Sequence, residues 1–457
     1  MDNVKIDTNN YKHIHFIGIG GISMSGLAEI MLNKGFKVSG SDAKESHITK
    51  NLEKKGIKIF YSHSPSNLED SDLVVYTDAV SLDNLELKSA IDSKIDIIDR
   101  ANFLGQLMKE YKKSIAISGT HGKTTTTSMA ATILLNSNFN PTILLGGELD
   151  LINGNTKIGN NEIILTEACE YKANILKYFP TTIVVLNIDE DHLDYFDNME
   201  HILNTFKTYA NNLKEDNFLI LNIDDEYTRH LINSKCKIIT ISKENQANFQ
   251  AKNISYLNDF PSYDLYYNNE FKGRVNLKVN GGHNITNSLG AIASCVINGI
   301  SFDDAINSIS NYTGVHRRLE YKGNYNGTII EDDYAHHPTE IKASLSALKE
   351  ICKGELYCVF QPHTFTRTKY LLDSFSKSFN DADYVIITDI YAAREKDYGD
   401  IHSKTLCDAI SSQGKKACYI DSFEKVVNYL KNSIKENDIL VTMGAGDVYK
   451  IGEMILK

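Results

Sequence analysis

The loop with the clearest chemistry lies at residues 119–125. It reads Gly119-Thr120-His121-Gly122-Lys123-Thr124-Thr125, after an apolar run and before a segment with helical character, Met129 to Leu135. In a strand, turn and helix of this kind, backbone N–H groups and the helix N-terminus face phosphate oxygens. The lysine supplies a cation, and the hydroxyl after it can reach Mg²⁺. The loop therefore predicts binding of ATP or GTP.

The glycine spacing of this loop is shorter than the usual pattern, which places four residues between the first glycine and Gly-Lys. Gly119 lies three residues before Gly122, and the strict position is held by Ile117. A glycine turn beside a surface lysine is the structural alternative. The apolar strand and the following helix favour the phosphate loop.

A second glycine-rich turn, Gly18-Ile19-Gly20-Gly21-Ile22-Ser23, follows the first predicted strand. It is close to the GxGxxG dinucleotide turn, with Ser23 in the third glycine position. Asp42 follows the second predicted strand, where a ribose ligand is expected. NAD is the simplest ligand, but any nucleotide diphosphate, including a UDP-sugar, can use the same amides. A purely structural turn is the alternative.

Two acidic residues and a histidine follow neighbouring predicted strands. Glu167 and Glu170 come after residues 163–166, and His192 comes after the strand ending at Ile188. The carboxyl ends of parallel strands gather around one crevice, so Glu167 and His192 are predicted to converge with Thr124 on Mg²⁺. A solvated histidine in an acidic loop is the alternative for His192.

Three polar turns in the last part of the chain predict a binding face at one sheet edge. They are Asp332-Asp333-Tyr334-Ala335-His336-His337-Pro338, Gln361-Pro362-His363-Thr364-Phe365-Thr366-Arg367 and Gly444-Ala445-Gly446-Asp447. Ordinary helix caps explain each turn alone but not all three together. Arg317 and Arg318 follow Gly314 and suggest either a hinge that carries cations to a phosphate or a solvated linker.

The elements that must position these residues alternate between short apolar strands and helices. This alternation predicts an α/β fold with parallel sheets and flanking helices. Strands are expected at residues 13–17, 36–39, 57–60, 73–76, 95–98, 114–118, 163–166, 183–186, 218–221, 238–241, 328–330, 356–360, 384–388 and 439–442. Helices are expected at residues 24–33 and 284–298, and hairpins or loops at 243–280. Domain boundaries are predicted near residues 111–113 and near Gly314.

Composition narrows the class of protein. The chain has 457 residues and a net charge of −11, which argues against broad binding to a nucleic-acid backbone. Its seven cysteines are scattered without a CxxC pair, as in a reducing cytosol. Neither a membrane-spanning apolar run nor a signal-peptide core stands out, and the polar N-terminus, residues 1–12, favours a cytoplasmic location. Oligomeric state is not predicted.

Taken together, the motifs resemble the Mur ligases over essentially the whole chain. The segments that carry the resemblance are HFIGIGGISMSGLAEIM (15–31), VSGSD (38–42), SGTHGKTTT (118–126), TEACEYKANIL (166–176), NIDEDHLDYF (187–196), GGHNITN (281–287), GVHRRLE (314–320), EDDYAHHPTE (331–340), FQPHTFTRT (360–368), DIYAAREKD (389–397) and TMGAGDVYK (442–450). The N-terminal motif and DDYAHHPTE are similar to the motifs of one branch of this family, whose members join L-alanine to UDP-N-acetylmuramate.

This resemblance implies three sheet-based domains: a Rossmann-like domain for the UDP-sugar (1–112), a P-loop domain for ATP (113–313) and a Rossmann-like domain that closes over ATP and the amino acid (314–457). It implies an ATP- and Mg²⁺-dependent ligase that passes through an acyl phosphate. Its catalytic residues would be Lys123, Glu167 and His192, and Thr124, Glu167 and His192 would form the metal region. The loop at residues 119–125 would bind ATP together with Asn284, Arg317 and Asp333. The UDP-sugar residues would be Gly18, Gly20, Gly21, Ser23, Asp42 and His283, and the amino-acid side would be Tyr334, His336, His363 and Arg367.

Three positions depart from the family pattern. Ser23 replaces a glycine, and Thr364 stands where many relatives carry arginine. The run Glu167-Ala168-Cys169-Glu170-Tyr171-Lys172 stands where relatives carry the more acidic EADESD. These departures leave the shape of the first turn, the role of acids after Glu167 and one contact to alanine open. Lys207 is not expected to be carbamylated, although some Mur ligases carry a modified lysine in that region.

Three other functions compete with the L-alanine ligase. A recycling ligase that attaches a preformed tripeptide to the same UDP-sugar would share most of the motifs. An NAD-dependent dehydrogenase with an unrelated P-loop domain is disfavoured by the two nucleotide signatures. A non-catalytic nucleotide sensor is disfavoured by the presence of Lys123, Glu167 and His192.

Overall fold

The computed structural model describes residues 10–257, 260–393 and 395–457. Most of the polar N-terminal segment considered above, and parts of the 243–280 and 389–397 segments, therefore lie outside the described residues. The expected α/β architecture is confirmed: three sheets, mainly parallel, carry helices between their strands. None of the described helices is long and apolar enough to cross a membrane.

The first sheet is entirely parallel, with strand order β3-β2-β1-β4-β5. Its central strand HIHFI is buried at every residue, as a strand covered by helices on both faces must be. The strands are β1 (His13–Ile17), β2 (Lys37–Ser41), β3 (Lys58–Phe60), β4 (Leu73–Tyr76) and β5 (Asp96–Asp99). The helices are α1 (Ile22–Asn33), α2 (His47–Lys54), α3 (Leu85–Asp92) and α4 (Arg100–Met108).

The next strands run in the order β12-β11-β10-β6-β9-β7-β8. The strand before the phosphate loop, β6, has parallel neighbours on both sides, which places three carboxyl ends next to each other. The strands are β6 (Lys113–Ser118), β7 (Thr142–Leu149), β8 (Gly154–Lys157), β9 (Ile163–Ala168), β10 (Thr182–Val185), β11 (Phe218–Asn222) and β12 (Lys237–Ser242). The helices are α5 (Lys123–Leu135) and α6 (Met199–Asn211).

The hairpins expected within residues 243–280 are confirmed for the described part of that segment. Three antiparallel strands follow one another: β13 (Phe249–Leu257), β14 (Phe260–Tyr267) and β15 (Glu270–Asn276). The last two residues of β12, Ile241 and Ser242, pair with the first residues of β13. Two helices come next, α7 (His283–Ile297) and α8 (Phe302–Ile309).

The last sheet has strand order β16-β17-β21-β18-β19-β20, with only the β16–β17 pair antiparallel. Apolar clusters cover both of its faces. The strands are β16 (Glu320–Tyr325), β17 (Thr328–Asp333), β18 (Leu356–Phe360), β19 (Tyr384–Ile387), β20 (Lys416–Tyr419) and β21 (Ile439–Met443). The helices are α9 (Pro338–Ile351), α10 (Phe365–Tyr370), α11 (Leu372–Ser376), α12 (Ser403–Ser412), α13 (Phe423–Lys431) and α14 (Tyr449–Leu456).

The chain divides into two compact units that do not follow its linear order. One contains residues up to Asn187 together with Leu203–Thr240 and Gly290–Asp304. The other contains Ile188–Ile202, Ile241–Leu289 and Ala305–Lys457. The loop that carries His192 therefore groups with the last sheet.

Several element predictions need correction. The helix after the phosphate loop begins at Lys123 rather than Met129, because its first turn is built from threonines that the helical pattern undervalues. The strand predicted to end at Ile330 continues to Asp333, and the one predicted to end at Thr166 continues to Ala168. The domain boundary at 111–113 stays a prediction; within it Tyr111 is buried and Lys113 is the first residue of β6. Strands β7, β8, β16 and β20 were not predicted.

Candidate active site

The phosphate loop connects β6 directly to α5. Gly122 stands at the N-cap of α5 with φ +81°, a left-handed conformation that a side chain would strain. Glycine has no side chain that could accept a bond from the first-turn amides of this 13-residue helix, so these amides face the loop. This is the geometry that binds a phosphate group.

The loop backbone is fixed by Asn187, a residue that the sequence did not single out. Its side-chain oxygen accepts the His121 N–H at 2.8 Å, its amide donates to the His121 carbonyl at 3.1 Å, and its own carbonyl accepts the Thr120 N–H at 3.2 Å. Asn187 follows β10, the parallel neighbour of β6. The position after a neighbouring strand was the available sequence signal for it.

The Lys123 ammonium is already surrounded by oxygen atoms. Nζ donates to the Gly119 carbonyl at 2.5 Å and the Thr120 carbonyl at 2.9 Å, and lies 3.2 Å from Glu170. Burial alone would lower the pKa of Lys123, but Glu170 and the anionic groups near it raise it above the usual value. Lys123 is therefore a permanent cation, and Glu170, 3% exposed, is a partner that the sequence left open.

Thr124 and Glu167 meet as predicted. The Thr124 hydroxyl donates to Glu167 Oε2 at 3.0 Å, and Glu167 Oε1 accepts the Gly146 N–H at 2.6 Å. Thr124 is buried and Glu167 is half-buried at the end of β9. A hydroxyl and a carboxylate beside a phosphate loop are the hard oxygen donors that Mg²⁺ prefers, so these residues fit that ion.

The glycine-rich turn at Gly18 joins β1 to α1. The N–H groups of Gly18 and Ile19 donate to the Ser41 carbonyl, and the Gly20 N–H donates to Asp42 Oδ2 at 2.9 Å. A Cβ on Gly20 would lie 2.8 Å from that carboxylate oxygen, which explains the glycine. Asp42 therefore lies at the turn as expected, and its carboxylate binds the backbone of the turn.

A buried polar network that the sequence did not reveal supports this turn. Glu86 is fully buried, and its carboxylate accepts bonds from Ser41 at 2.5 Å and Asn67 at 2.7 Å and lies 2.7 Å from His63. Burial alone would raise the pKa of Glu86, but His15, whose Nε2 lies 3.6 Å from Oε1, and these hydrogen-bond partners lower it to about 2. Glu86 is therefore an anion that fixes the end of β2, directly before Asp42.

The predicted convergence of three polar turns in the last sheet is confirmed. Strands β17, β21 and β18 are parallel neighbours, so the turns after Asp333, Met443 and Phe360 share one edge. Asp333 is buried at the end of β17 and accepts the N–H groups of Ala335 and Leu319. Burial raises the pKa of Asp333 to about 6.

Arg317 is not a solvated linker residue. Its guanidinium donates to Asp332 at 3.1 Å and to the Gly444 carbonyl at 2.7 Å. The same group lies 4.9 Å from the Tyr334 ring centroid and 4.8 Å from that of Tyr449. Arg317 therefore lies at the edge formed by β17 and β21, with its planar cation held between two aromatic rings.

Arg367 makes an ion pair with Asp191 within the second unit. Nε lies 3.1 Å and Nη2 3.0 Å from Asp191 Oδ1, and Nη1 donates to the His363 carbonyl at 3.0 Å. Both side chains of the pair are nearly buried, at 12% and 10% exposure. Burial alone would raise the pKa of Asp191, but Arg367 holds it well below its usual range. No local sequence pattern indicates that Arg367 has a partner in the chain.

Two further bonds tie the same loop to the start of α9. His337 Nε2 donates to the Glu190 carbonyl at 2.8 Å, and the Thr339 hydroxyl donates to Asp189 at 2.7 Å. His337 Nδ1 accepts the Thr339 N–H, so His337 is the neutral Nε2–H tautomer. His192, which directly follows Asp191 in this loop, has a left-handed φ of +55°. Its backbone N–H donates to Asp191 at 2.7 Å.

The remaining predicted amino-acid residues cluster at the edge of the last sheet. The ring of His336 lies 5.3 Å from that of Tyr334 and 5.8 Å from that of His363. Burial lowers the pKa of His336 to about 3, so the ring is neutral near pH 7. In the GGHNITN segment, His283 is exposed at the start of α7, whereas Asn284 is buried and its amide donates to the Asn280 carbonyl at 2.6 Å.

Comparison with known proteins matches the chain from end to end. The family models described as "Mur ligase family, catalytic domain", "Mur ligase middle domain" and "Mur ligase, glutamate ligase domain" match residues 13–112, 117–295 and 317–446. A protein of Acetivibrio thermocellus named UDP-N-acetylmuramate--L-alanine ligase is 52% identical over 99% of this chain and 97% of its own.

Solved structures agree with this match. The structure of a UDP-N-acetylmuramate-alanine ligase MurC from Thermotoga maritima superposes with a TM-score of 0.83 at 30% identity, covering 98% of each chain. A murein peptide ligase from Psychrobacter arcticus shares the fold, with a TM-score of 0.75 at 24% identity over 97% of this chain and 98% of its own. With its motifs, its three sheets and its sequence all matching over full length, this chain belongs to the Mur ligase family.

Proposed function

We propose that this protein joins L-alanine to the lactyl carboxylate of UDP-N-acetylmuramate and converts ATP to ADP and phosphate, in the synthesis of peptidoglycan precursors. The observation that carries the proposal is the pair of phosphate-type turns, at Gly18 and at Gly119, within one compact unit. One turn suits the diphosphate of a nucleotide-sugar, and the other suits ATP. The full-length similarity to ligases named for this reaction supports the same assignment.

The first step is transfer of a phosphoryl group between anions. An oxygen of the lactyl carboxylate attacks the γ-phosphorus, the bond to the β-phosphate oxygen breaks, and an acyl phosphate and ADP result. Repulsion between the two anions opposes this step, so cations and positioning must supply most of the catalysis. Lys123 is the cation of the phosphate loop, and we assign it to the γ-phosphate. Arg317, Asn284 and Asp333 complete the proposed ATP site.

Thr124 and Glu167, with His192 from the proposed metal region, are the residues that would hold Mg²⁺. When bound, the ion neutralises phosphate charge and orients the phosphate groups. Glu167 is held by both Thr124 and the Gly146 N–H, which fixes its carboxylate before any ligand binds. Residues 119–125 supply backbone amides for the phosphates.

The second step forms the amide bond. The amine nitrogen of L-alanine attacks the acyl carbon, a tetrahedral intermediate forms, and phosphate leaves as the C–O bond breaks. We assign the amino-acid side to Tyr334, His336, His363 and Arg367. The neutral His336 ring can contact the amine without repelling it, and Arg367 has the planar fork that recognises a carboxylate.

The UDP-sugar side is assigned to Gly18, Gly20, Gly21, Ser23, Asp42 and His283. We propose residues 1–112, 113–313 and 314–457 as the regions for the UDP-sugar, ATP and the amino acid. Synthesis of a nucleotide-linked precursor from ATP and alanine also leads us to propose a cytoplasmic location.

The decisive experiment is phosphate release by the purified protein with ATP, Mg²⁺ and UDP-N-acetylmuramate, with each amino acid supplied in turn. We expect release that depends on L-alanine and a product enlarged by one alanyl residue in mass spectrometry. Product formation with the murein tripeptide but not with L-alanine would instead identify a recycling ligase. Oxidation or reduction of nicotinamide without phosphate release would identify a dehydrogenase.

A further inference from the structure

Arg100 is a cation at the carboxyl edge of the first sheet and is not among the residues assigned to the reaction. It is the first residue of α4, directly after β5. Its Nη1 lies 3.2 Å from the Tyr178 hydroxyl and 3.4 Å from the Ser23 hydroxyl. Both contacts are to neutral groups, and the side chain is partly buried. A positive charge in such a place requires an explanation.

Among the described residues no carboxylate forms an ion pair with Arg100, although Tyr178 and, more weakly, Asp78 raise its pKa. The adjacent Asp99 is engaged elsewhere, because it caps α4 and pairs with Lys177 at 3.0 Å. The nearby Asp78 carboxylate accepts the Asn174 amide at 2.7 Å. A guanidinium has five N–H donors, and the two hydroxyl contacts occupy only one of its nitrogens. Desolvating this charge is costly unless an anion completes the site.

The contact with Ser23 indicates where that anion binds. Ser23 is the second residue of α1 and the last residue of the Gly18–Ser23 turn. The N-cap of α1, Gly21, has no side-chain capping bond among the described residues, so the first-turn amides of this 12-residue helix remain open. Arg100 therefore stands beside the group of amides that suits a diphosphate.

The backbone amides of this turn carry no full positive charge with which to neutralise a doubly charged ligand. Asp42, whose carboxylate accepts the Gly20 N–H, places a negative charge at the same turn. A diphosphate bound by backbone amides alone would approach that carboxylate without a compensating cation. A guanidinium can donate two parallel bonds to phosphate oxygens, which a backbone amide cannot.

We propose that Arg100 is a binding residue for the diphosphate of the nucleotide-sugar substrate. The assignment deepens the proposed function and rests on it. The lactyl carboxylate of the sugar offers a similar anion, but the Ser23 contact places Arg100 at the turn that faces the diphosphate. Arg100 thus supplies the fixed positive charge of the first substrate site, as Lys123 does in the phosphate loop.

The test is a calorimetric titration of wild type, Arg100→Gln, Arg100→Lys and Lys177→Gln with three ligands: UDP-N-acetylmuramate, UDP-N-acetylglucosamine and uridine. Loss of a charge-assisted hydrogen bond weakens binding by about ten- to a hundredfold. We expect Arg100→Gln to lose that factor equally for both UDP-sugars and to leave uridine unchanged. Arg100→Lys should recover part of the loss. Lys177→Gln, which removes a neighbouring paired cation, should bind like wild type.

Each other outcome is informative. Equal affinities of wild type and Arg100→Gln for both UDP-sugars would overturn the proposal. A loss confined to UDP-N-acetylmuramate would overturn it in favour of the lactyl carboxylate, since UDP-N-acetylglucosamine lacks that group. Thermal unfolding of each variant separates misfolding from lost binding. Failure of the wild type to bind any UDP-sugar would instead contradict the proposed function.

Discussion

At the scale of single residues, Lys123 holds the phosphate loop together before any nucleotide is present. Its ammonium contacts two loop carbonyls and Glu170, so ATP must replace internal oxygen atoms with phosphate oxygens. The affinity of the site for ATP therefore depends on how much more favourably Lys123 interacts with phosphate oxygens than with these carbonyl and carboxylate oxygens. Asn187 keeps the backbone in place during this exchange.

We expect Lys123→Ala to reduce ligation by about a thousandfold or more, because no other residue of the loop can place a positive charge at the γ-phosphate. The same substitution leaves Glu170 buried without its cation, so the free energy of unfolding should fall by about 1–3 kcal/mol. Phosphate release and denaturant unfolding measure the two effects. Lys123→Ala/Glu170→Gln should recover stability but not activity, and activity near that of wild type in Lys123→Ala would remove Lys123 from the mechanism.

The ion pair between Arg367 and Asp191 leads to a second prediction at the residue scale. Both side chains are nearly buried, so removing one partner leaves an uncompensated charge. Asp191→Asn and Arg367→Gln should each lower the free energy of unfolding by about 3 kcal/mol. The double variant should lose clearly less than the sum.

Chemical denaturation of the four proteins gives this coupling energy. Additive losses would show that the pair does not form in solution. The proposed role of Arg367 predicts in addition that Asp191→Asn lowers the KM for L-alanine, because a competing carboxylate has been removed from the guanidinium. Lys369→Gln, in the same helix but paired at the surface with Asp400, is the matched control.

At the scale of elements, β17 concentrates three acidic residues in a row. Glu331, Asp332 and Asp333 are all buried, and Glu331 Oε2 has no hydrogen-bond partner among the described residues. Burial, with the nearby Asp333, raises the pKa of Glu331 to about 8. The strand therefore binds protons more tightly when folded than when unfolded.

This difference sets the pH dependence of stability. An acid whose pKa is higher in the folded state stabilises the fold at low pH, and that stability is lost as the pH rises through the folded-state pKa. Between about pH 5 and pH 8, Glu331 should therefore reduce the free energy of unfolding as the pH rises. Glu331→Gln should be more stable than wild type at pH 9 by about 2 kcal/mol and nearly equal to it at pH 5. The same difference in free energy of unfolding between Glu331→Gln and wild type at pH 5 and at pH 9 would contradict this assignment.

The sequence predicts elements best where apolar runs are continuous. Residues 356–360 are predicted to the residue, because LYCVF is buried throughout. The threonine-rich start of α5 and the short edge strand β8 were missed, since their residues lack a clear apolar period. The candidate site divides similarly. Loops with a local signature were found, whereas the Arg367–Asp191 pair joins residues 176 positions apart and leaves no local pattern.

At the scale of the whole molecule, the reaction requires that three substrates meet. The glycine-rich turn and Asp42, proposed for the UDP-sugar, belong to one compact unit, whereas the residues proposed for the amino acid belong to the other, so we expect ligands to change the arrangement of the chain. The hinges predicted from the sequence, residues 111–113 and 312–316, each lie inside one of these units. Small-angle scattering with and without ATP and UDP-N-acetylmuramate should show a smaller radius of gyration for the bound form. Superimposable profiles would argue against closure.

The division of the chain into two units has a further consequence for how the protein can be dissected. The backbone passes from one unit to the other after Asn187, Ile202, Thr240, Leu289 and Asp304. A single cut in any one of these connections leaves the other four intact. A nicked protein should therefore stay associated, whereas a fragment that begins near Gly314 would lack the strands and the loop that group with its sheet. We therefore expect co-expressed fragments to reassemble into an active enzyme, and we expect domains expressed alone to be inactive.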